Sequence, residues 1–148
     1  MYNSGRCLQI PKYLLIIGRN KGVKMEDKRA EIFAQLKELL VKYSPPFEAK
    51  IDNERWYDLY SIKDLVIEGR KRKEVYFAGI IIQKAYVGFY YMPVYAEPEI
   101  KALFKPELLK LLKGKSCFHI RTLDEVLLEQ IRQALEDGFK LYRERGWV

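Results

Sequence analysis

Two stretches of helical periodicity lie near the ends of the chain. Over residues 26–43, apolar residues recur at intervals of three and four, as on the buried side of an amphipathic helix. They are Ile32, Phe33, Leu36, Leu39, Leu40 and Tyr43. A second helix is predicted after Thr122, the N-cap of a capping box with Glu125. It runs to about Arg145, and Gly146 ends it.

Between these helices the pattern changes to short segments rich in β-branched and aromatic residues. Strands are predicted over residues 56–62, 65–68, 74–83, 86–92 and 116–121. Tight turns join most neighbouring strands, which favours antiparallel pairing. Together with the two helices, this order predicts an α+β domain in which an antiparallel sheet has helices packed on one face.

The remaining segments are predicted as connections or short helices. Residues 47–55 form a polar connection and residues 69–73 a basic turn. A short helix covers residues 98–104, and a further helix begins at Pro106 and ends at Gly114.

Most of the net charge of +7 belongs to the N-terminal segment. Residues 1–25 contain five basic residues and no acidic one, so the remaining chain has 22 basic against 20 acidic residues. Residues 1–24 are predicted as a basic N-terminal extension, or as translated upstream sequence if Met25 is the start. The single domain is therefore predicted over residues 25–148.

Composition excludes several classes of protein. The 148 residues suit one domain, and no apolar run approaches the roughly 18 residues that cross a bilayer. Two cysteines do not make a disulfide framework, which favours a cytoplasmic location. Cys117 and the lone His119 share a strand face, yet no further Cys/His cluster completes a metal site. No cofactor, metal ligand or catalytic residue is predicted, and an enzyme is the least favoured class.

The tyrosines are the main candidate for function. Eleven tyrosines and two tryptophans exceed what a small core normally takes, and a tyrosine suits a site with one apolar and one polar end. The candidate ligand face comprises Tyr57, Tyr76, Tyr86, Tyr90, His119 and Arg121. Core edges or a homodimer interface are alternative uses of these rings. Gly79 and Gly88, isolated within strands, predict a bulge or the close approach of a helix.

The basic turn offers a second candidate surface. Its four cations, Arg70, Lys71, Arg72 and Lys73, are candidate contacts for an anion such as a nucleic-acid phosphate. The alternative is a solvated hairpin tip that discourages aggregation at a sheet edge. The stacking motif of RNA-recognition domains is absent, so nucleic acid is the less favoured partner.

Two segments resemble the YdhG-like family, small bacterial and archaeal domains mostly of unknown function. They are Lys-Ala-Tyr-Val-Gly-Phe-Tyr at residues 84–90 and Lys-Gly-Lys-Ser-Cys-Phe-His-Ile at residues 113–120. The resemblance covers about residues 26–148 and implies a curved antiparallel sheet with flanking helices. Some members are described as frataxin-like iron chaperones, a role that requires an acidic ridge. The first helix instead has balanced charge, so no iron ligand is carried over.

Together, these observations predict a non-catalytic binding module for a small ligand or a protein partner. The tyrosine face would hold the ligand. Two alternatives stay open: a frataxin-like carrier of iron or another metal, on the resemblance alone, and a nucleic-acid-binding protein that uses residues 70–73.

Overall fold

The computed structural model describes residues 24–148, with side chains from Lys28 onward. The predicted extension lies outside the described residues except for Lys24, with which the first helix begins. The helices are α1 (Lys24–Leu40), α2 (Met92–Ala96), α3 (Pro106–Leu109) and α4 (Glu125–Glu144). The strands are β1 (Glu48–Asp52), β2 (Trp56–Ser61), β3 (Leu65–Ile67), β4 (Arg70–Arg72), β5 (Val75–Ile82), β6 (Val87–Tyr91), β7 (Leu112–Lys113) and β8 (Cys117–Ile120). Two 3₁₀ helices, Val41–Tyr43 and Pro98–Leu103, complete the described elements.

Six strands form one antiparallel sheet in the order β1-β2-β5-β6-β8-β7, and β3 and β4 form a separate hairpin. Helix α1 packs on β5 and β6 and also contacts α4. This arrangement confirms the α+β prediction, with an antiparallel sheet and the N- and C-terminal helices packed against it. The curvature implied by the resemblance stays a prediction.

The core lies between the sheet and the two long helices. Phe77 of β5 is fully buried, and its ring stacks on Phe47 with centroids 4.2 Å apart. Tyr142 of α4 packs edge-on against the same ring at 5.2 Å. Such burial stabilises each large side chain by about 1.5–3 kcal/mol relative to exposure. The apolar stripes predicted from periodicity are thus the surfaces that hold the helices on the sheet.

Four local predictions were wrong. Residues 47–55 contain strand β1, whose half-polar sequence follows from its place at the edge of the sheet. Residues 70–72 form strand β4 of a hairpin, and the turn lies at Glu68 and Gly69, both with positive φ. Helix α3 is only one turn long, and Gly114 belongs to the turn between β7 and β8.

The fourth wrong prediction concerns the start of α4. Its N-cap is Asp124, whose Oδ1 accepts a hydrogen bond from the Leu127 amide at 2.8 Å. A capping box at Thr122 would have begun the helix two residues earlier. A carboxylate at Asp124 is also favoured by the helix dipole, which explains why the later cap prevails.

None of the helices in residues 24–148 is long and apolar enough to span a membrane.

Candidate functional site

The two faces of the six-stranded sheet differ in burial. Because side chains alternate along a strand, Tyr57 and Leu59 of β2 point to the helices and are buried, while Trp56 and Tyr60 point away. The residues of this second side, here called the open face, are Trp56, Asp58, Tyr60, Tyr76, Gly79, Ile81, Tyr86, Gly88, Tyr90, Cys117, His119 and Arg121. Helices α1 and α4 do not pack on it.

A continuous row of side chains crosses the open face. Trp56 pairs with Ile81, Ile81 with Gly88, and Gly88 with His119. The ring of Tyr90 fills the gap at Gly88. We call Trp56, Ile81, Tyr90 and His119 the stacking row. Three steps of ~4.8 Å between strands give it a length of roughly 14 Å.

Tyr90 lies over Gly88 because the glycine has no side chain. A Cβ at Gly88 would come within 2.8 Å of the Tyr90 ring. The hydroxyl oxygen of Tyr90 accepts a hydrogen bond from Gln83 Nε2 at 3.0 Å, which fixes the ring from its far end. Cys117 also hydrogen-bonds Tyr90, and burial raises the pKa of its thiol. The thiol therefore stays protonated near neutral pH, which does not suit a nucleophile.

His119 is held in a stack at the other end of the row. Its ring lies parallel to that of Tyr86, with centroids 3.8 Å apart and an interplanar angle of 14°. The Arg121 guanidinium lies 5.5 Å from the Tyr86 ring centre. Burial, followed by the positive charges of Arg121 and Lys113, lowers the pKa of His119. The imidazole is therefore neutral at physiological pH and available for stacking.

A buried carboxyl group supports the β2 end of the row. Asp58 is only 3% exposed, although it belongs to the open face. Its Oδ1 lies 3.3 Å from the Tyr76 hydroxyl, which donates a hydrogen bond, and the Trp56 side chain bonds it as well. Burial raises the pKa of Asp58, and the two hydrogen bonds oppose that rise. Asp58 thus orients Trp56 and Tyr76 rather than meeting solvent itself.

Gly79 makes room for this cluster. A Cβ there would lie 2.2 Å from Asp58 Oδ1 and 2.4 Å from the Tyr76 hydroxyl. Gly79 and Gly88 are therefore covered by open-face side chains. The predicted bulge lies elsewhere, where the β2–β5 register shifts between Leu59 and Tyr60.

The structure brings five of the six predicted ligand-face residues together on the open face: Tyr76, Tyr86, Tyr90, His119 and Arg121. The sixth, Tyr57, lies on the helix-covered side and is 2% exposed. Sequence reasoning missed Trp56, Asp58 and Tyr60. Their spacing of two residues was the available signal, since it places all three on the face opposite Tyr57.

Of the four predicted anion contacts, only Arg72 lines a groove together with a tyrosine of the predicted ligand face, Tyr76. Arg70, Lys71 and Arg72 are exposed and lie on β4, where alternation sends Lys71 to the opposite side from the two arginines. Lys73 follows the strand and is also exposed. For metals, no group of three or more His, Cys, Asp or Glu side chains converges within the described residues.

Comparisons with models of known protein families, with curated proteins and with solved structures find no match to this chain. The geometry of the open face is therefore the basis for a functional proposal.

Proposed function

We propose that the protein is a non-catalytic binding module that holds a planar small molecule on the open face of its sheet. The observation that carries this proposal is the stacking row, which runs across four neighbouring strands without a charged side chain. A row of roughly 14 Å matches a compound of two or three fused rings.

The rings are fixed before any ligand arrives. Gln83 anchors the Tyr90 hydroxyl, Asp58 holds the Trp56 side chain, and Tyr86 stacks on His119. Pre-ordered side chains lose little conformational entropy on binding, which favours affinity. Stacking on an aromatic side chain contributes about 1–3 kcal/mol per ring and accepts any planar π system.

One end of the row is polar. Arg121 is exposed and lies over Tyr86 beside His119, so it offers guanidinium donors at that end. At the other end Trp56 is 39% exposed, and its side chain hydrogen-bonds the Asp58 carboxyl. A planar ligand with a carbonyl or carboxylate oxygen at one end fits this polarity.

The other functions considered from sequence have less support in the geometry. Nucleic-acid binding would need the cations of residues 70–73 together beside exposed rings. They lie on the β3–β4 hairpin, and only Arg72 among them lines a groove that also contains tyrosines. Metal carriage lacks a converging ligand set in the part of the chain that the structure describes. A protein partner or a second copy of the chain on the open face is an outcome that the following experiment distinguishes.

The test uses His119, which is the only histidine and gives isolated imidazole signals in proton NMR. Riboflavin serves as a three-ring probe. We expect a saturable upfield shift of the His119 signals, because a stacked ring shields them. Trp56→Ala removes the far end of the row and should weaken binding about fivefold or more, the equivalent of about 1 kcal/mol. Val126→Ala is the control, since Val126 is exposed on α4 and lies outside the row.

Native mass spectrometry of the full chain, purified gently from cells, complements the titration. A bound compound of discrete mass would support the proposal and identify the ligand. A clean homodimer whose His119 signals do not respond to riboflavin would assign the open face to self-association and overturn it.

A further inference from the structure

A groove of about 1030 Å³ lies at one end of the sheet. Tyr76 of the open face lines it, but Trp56, Ile81, Tyr90 and His119 of the stacking row do not. The β3–β4 hairpin forms one wall, and α2 with the following 3₁₀ helix forms the other. The start of β5 and the C-terminal end of α4 complete the lining. We call this space the end groove. Its volume lies just above the roughly 300–1,000 Å³ that is usual for small-molecule sites.

The walls of the end groove expose large apolar side chains. Val66 of β3 is 68% exposed, and Tyr95 of α2 is 52% exposed. Met92 and Trp147 also line the groove. Two apolar side chains this exposed on facing walls favour an occupant with an apolar body.

The charges of the end groove are unbalanced. Arg72, Lys101, Lys115 and Arg145 line it, against Glu68 and Glu74. Arg145 forms an ion pair with Glu97, and Glu74 forms one with Lys50 at 2.6 Å. Two of the lining charges are therefore neutralised by neighbours outside the groove.

Three cations remain against one acid. Arg72, Lys101 and Lys115 have no ion pair with another described residue, and Glu68 is the acid. Lys115 Nζ lies 5.4 Å from the Tyr95 ring centre, so a cation stands directly beside the exposed apolar wall. This adjacency suits a molecule whose anionic head adjoins its apolar body.

We propose that the end groove binds an amphipathic anion, a small molecule with an apolar body and a carboxylate or phosphate head. The three cations receive the head, and Val66 and Tyr95 contact the body. This site is separate from the stacking row and stands whether or not a planar ligand binds there.

The two tryptophans allow a specific test. Trp147 lines the end groove, and Trp56 belongs to the stacking row. In the Trp56→Phe variant, the fluorescence of Trp147 alone reports on the groove. Octanoate and octyl phosphate are the anionic probes, 1-octanol is the neutral match, and octylammonium is the cationic match. We expect the two anions to change the Trp147 fluorescence saturably. 1-Octanol should bind at least fivefold more weakly, and octylammonium should not bind.

Charge removal checks the location. Replacing Arg72, Lys101 and Lys115 together by Gln should weaken octanoate binding tenfold or more. The matched control replaces Lys42, Lys110 and Lys140, which are exposed and do not line the groove. Because both triple variants lose the same charge, a difference between them cannot come from net charge.

Several outcomes would overturn the proposal. One is equal binding of 1-octanol and octanoate, which would make the groove merely apolar. Another is equal loss in both triple variants. A third is octanoate binding to the unaltered protein that does not weaken as the salt concentration rises. This result would contradict the proposal without depending on how any variant folds. The His119 signals report only on the stacking row, so failure of one site is distinguishable from failure of the other. The relative affinities of octanoate and octyl phosphate then identify the preferred head group.

Discussion

The two faces of the six-stranded sheet carry the same types of aromatic side chain and use them differently. On the helix-covered face, the Tyr91 hydroxyl donates to the Ala134 carbonyl, and the Tyr142 hydroxyl donates to the Tyr76 carbonyl at 2.6 Å. Both bonds join the sheet to α4 through main-chain acceptors. On the open face, the partners of the Tyr76 and Tyr90 hydroxyls among the described residues are the side chains of Asp58, Gln83 and Cys117.

This difference separates structural tyrosines from candidate binding tyrosines. A hydroxyl that bonds the main chain of another element ties two elements together, and its ring is buried between them. At Tyr76 and Tyr90, a hydroxyl held by a side chain fixes the ring's orientation and leaves the ring partly exposed. A side-chain partner does not by itself mark an open-face tyrosine, since the hydroxyl of the buried Tyr57 bonds the Ser44 side chain. The number of tyrosines in the sequence therefore says little about function until the hydrogen-bond partner of each hydroxyl is known.

The largest expected loss of stability comes from a substitution on the helix-covered face. Phe77→Ala removes a ring that contacts Phe47 and Tyr142, and it leaves a cavity in the core. We expect the free energy of unfolding to fall by about 3–5 kcal/mol. Trp56→Ala on the open face should cost about 1–3 kcal/mol, because the buried Asp58 carboxyl loses one of its two hydrogen bonds. Urea denaturation followed by circular dichroism measures both, and equal losses would contradict the distinction between the faces.

A smaller effect comes from removing single hydroxyls. Tyr142→Phe leaves the buried Tyr76 carbonyl without its donor, so we expect a loss of about 1–3 kcal/mol. Tyr90→Phe leaves Gln83, which is half-buried and can bond water, so the loss should stay below about 1 kcal/mol. The same denaturation experiment compares them. A costlier Tyr90→Phe would mean that the open-face hydroxyls are structural.

The sequence predicted the covered face better than the open one. The periodicity of α1 and α4 and the apolar strand β5 depend on burial, which leaves a regular pattern in one chain. Strand β1 was missed because an edge strand with one wet side resembles a polar connection. The short helix α2 was missed because a proline at position 93, directly after the predicted strand 86–92, indicates the end of the strands, whereas proline also suits the first turn of a helix.

The open face could be predicted only in part. Five of its residues were found by their type, and Tyr57 was included because residue type does not report the direction of a side chain. Its neighbour Trp56 takes the position instead, since adjacent residues of a strand point to opposite faces. The partnership of Asp58 with Tyr76 depends on the register of β2 against β5, which the sequence alone does not determine.

A pH titration sharpens the comparison at Asp58. Burial raises its pKa above the ordinary value of 3.8. The folded state therefore binds the proton more tightly than the unfolded state, and this contribution to stability is present below pH 3.8 and is lost as the pH rises through the folded pKa. Asp58→Asn cannot titrate, so its stability relative to the unaltered protein should increase as the pH rises above 3.8.

Urea denaturation at a series of pH values measures this difference, and each unit of pKa change corresponds to about 1.4 kcal/mol. The control is Asp64→Asn, which makes the same substitution at an exposed aspartate. A stability difference for Asp58→Asn that stays constant or reverses its slope would mean that hydrogen bonding outweighs burial at this carboxyl.

The smallest expected effect concerns the charge at the other end of the stacking row. Burial is the main cause of the lowered pKa of His119, and the positive charge of Arg121 is the next. Arg121→Gln removes that charge and keeps hydrogen-bonding groups, so the pKa should rise and yet remain below the ordinary value of 6.5. Proton NMR titration of the single histidine measures it directly, with Lys140→Gln as a control at an exposed site on α4. A rise of the His119 pKa to its ordinary value would mean that the imidazole is not desolvated. The stack on Tyr86 would then not keep His119 in the partly buried position that the stacking row requires.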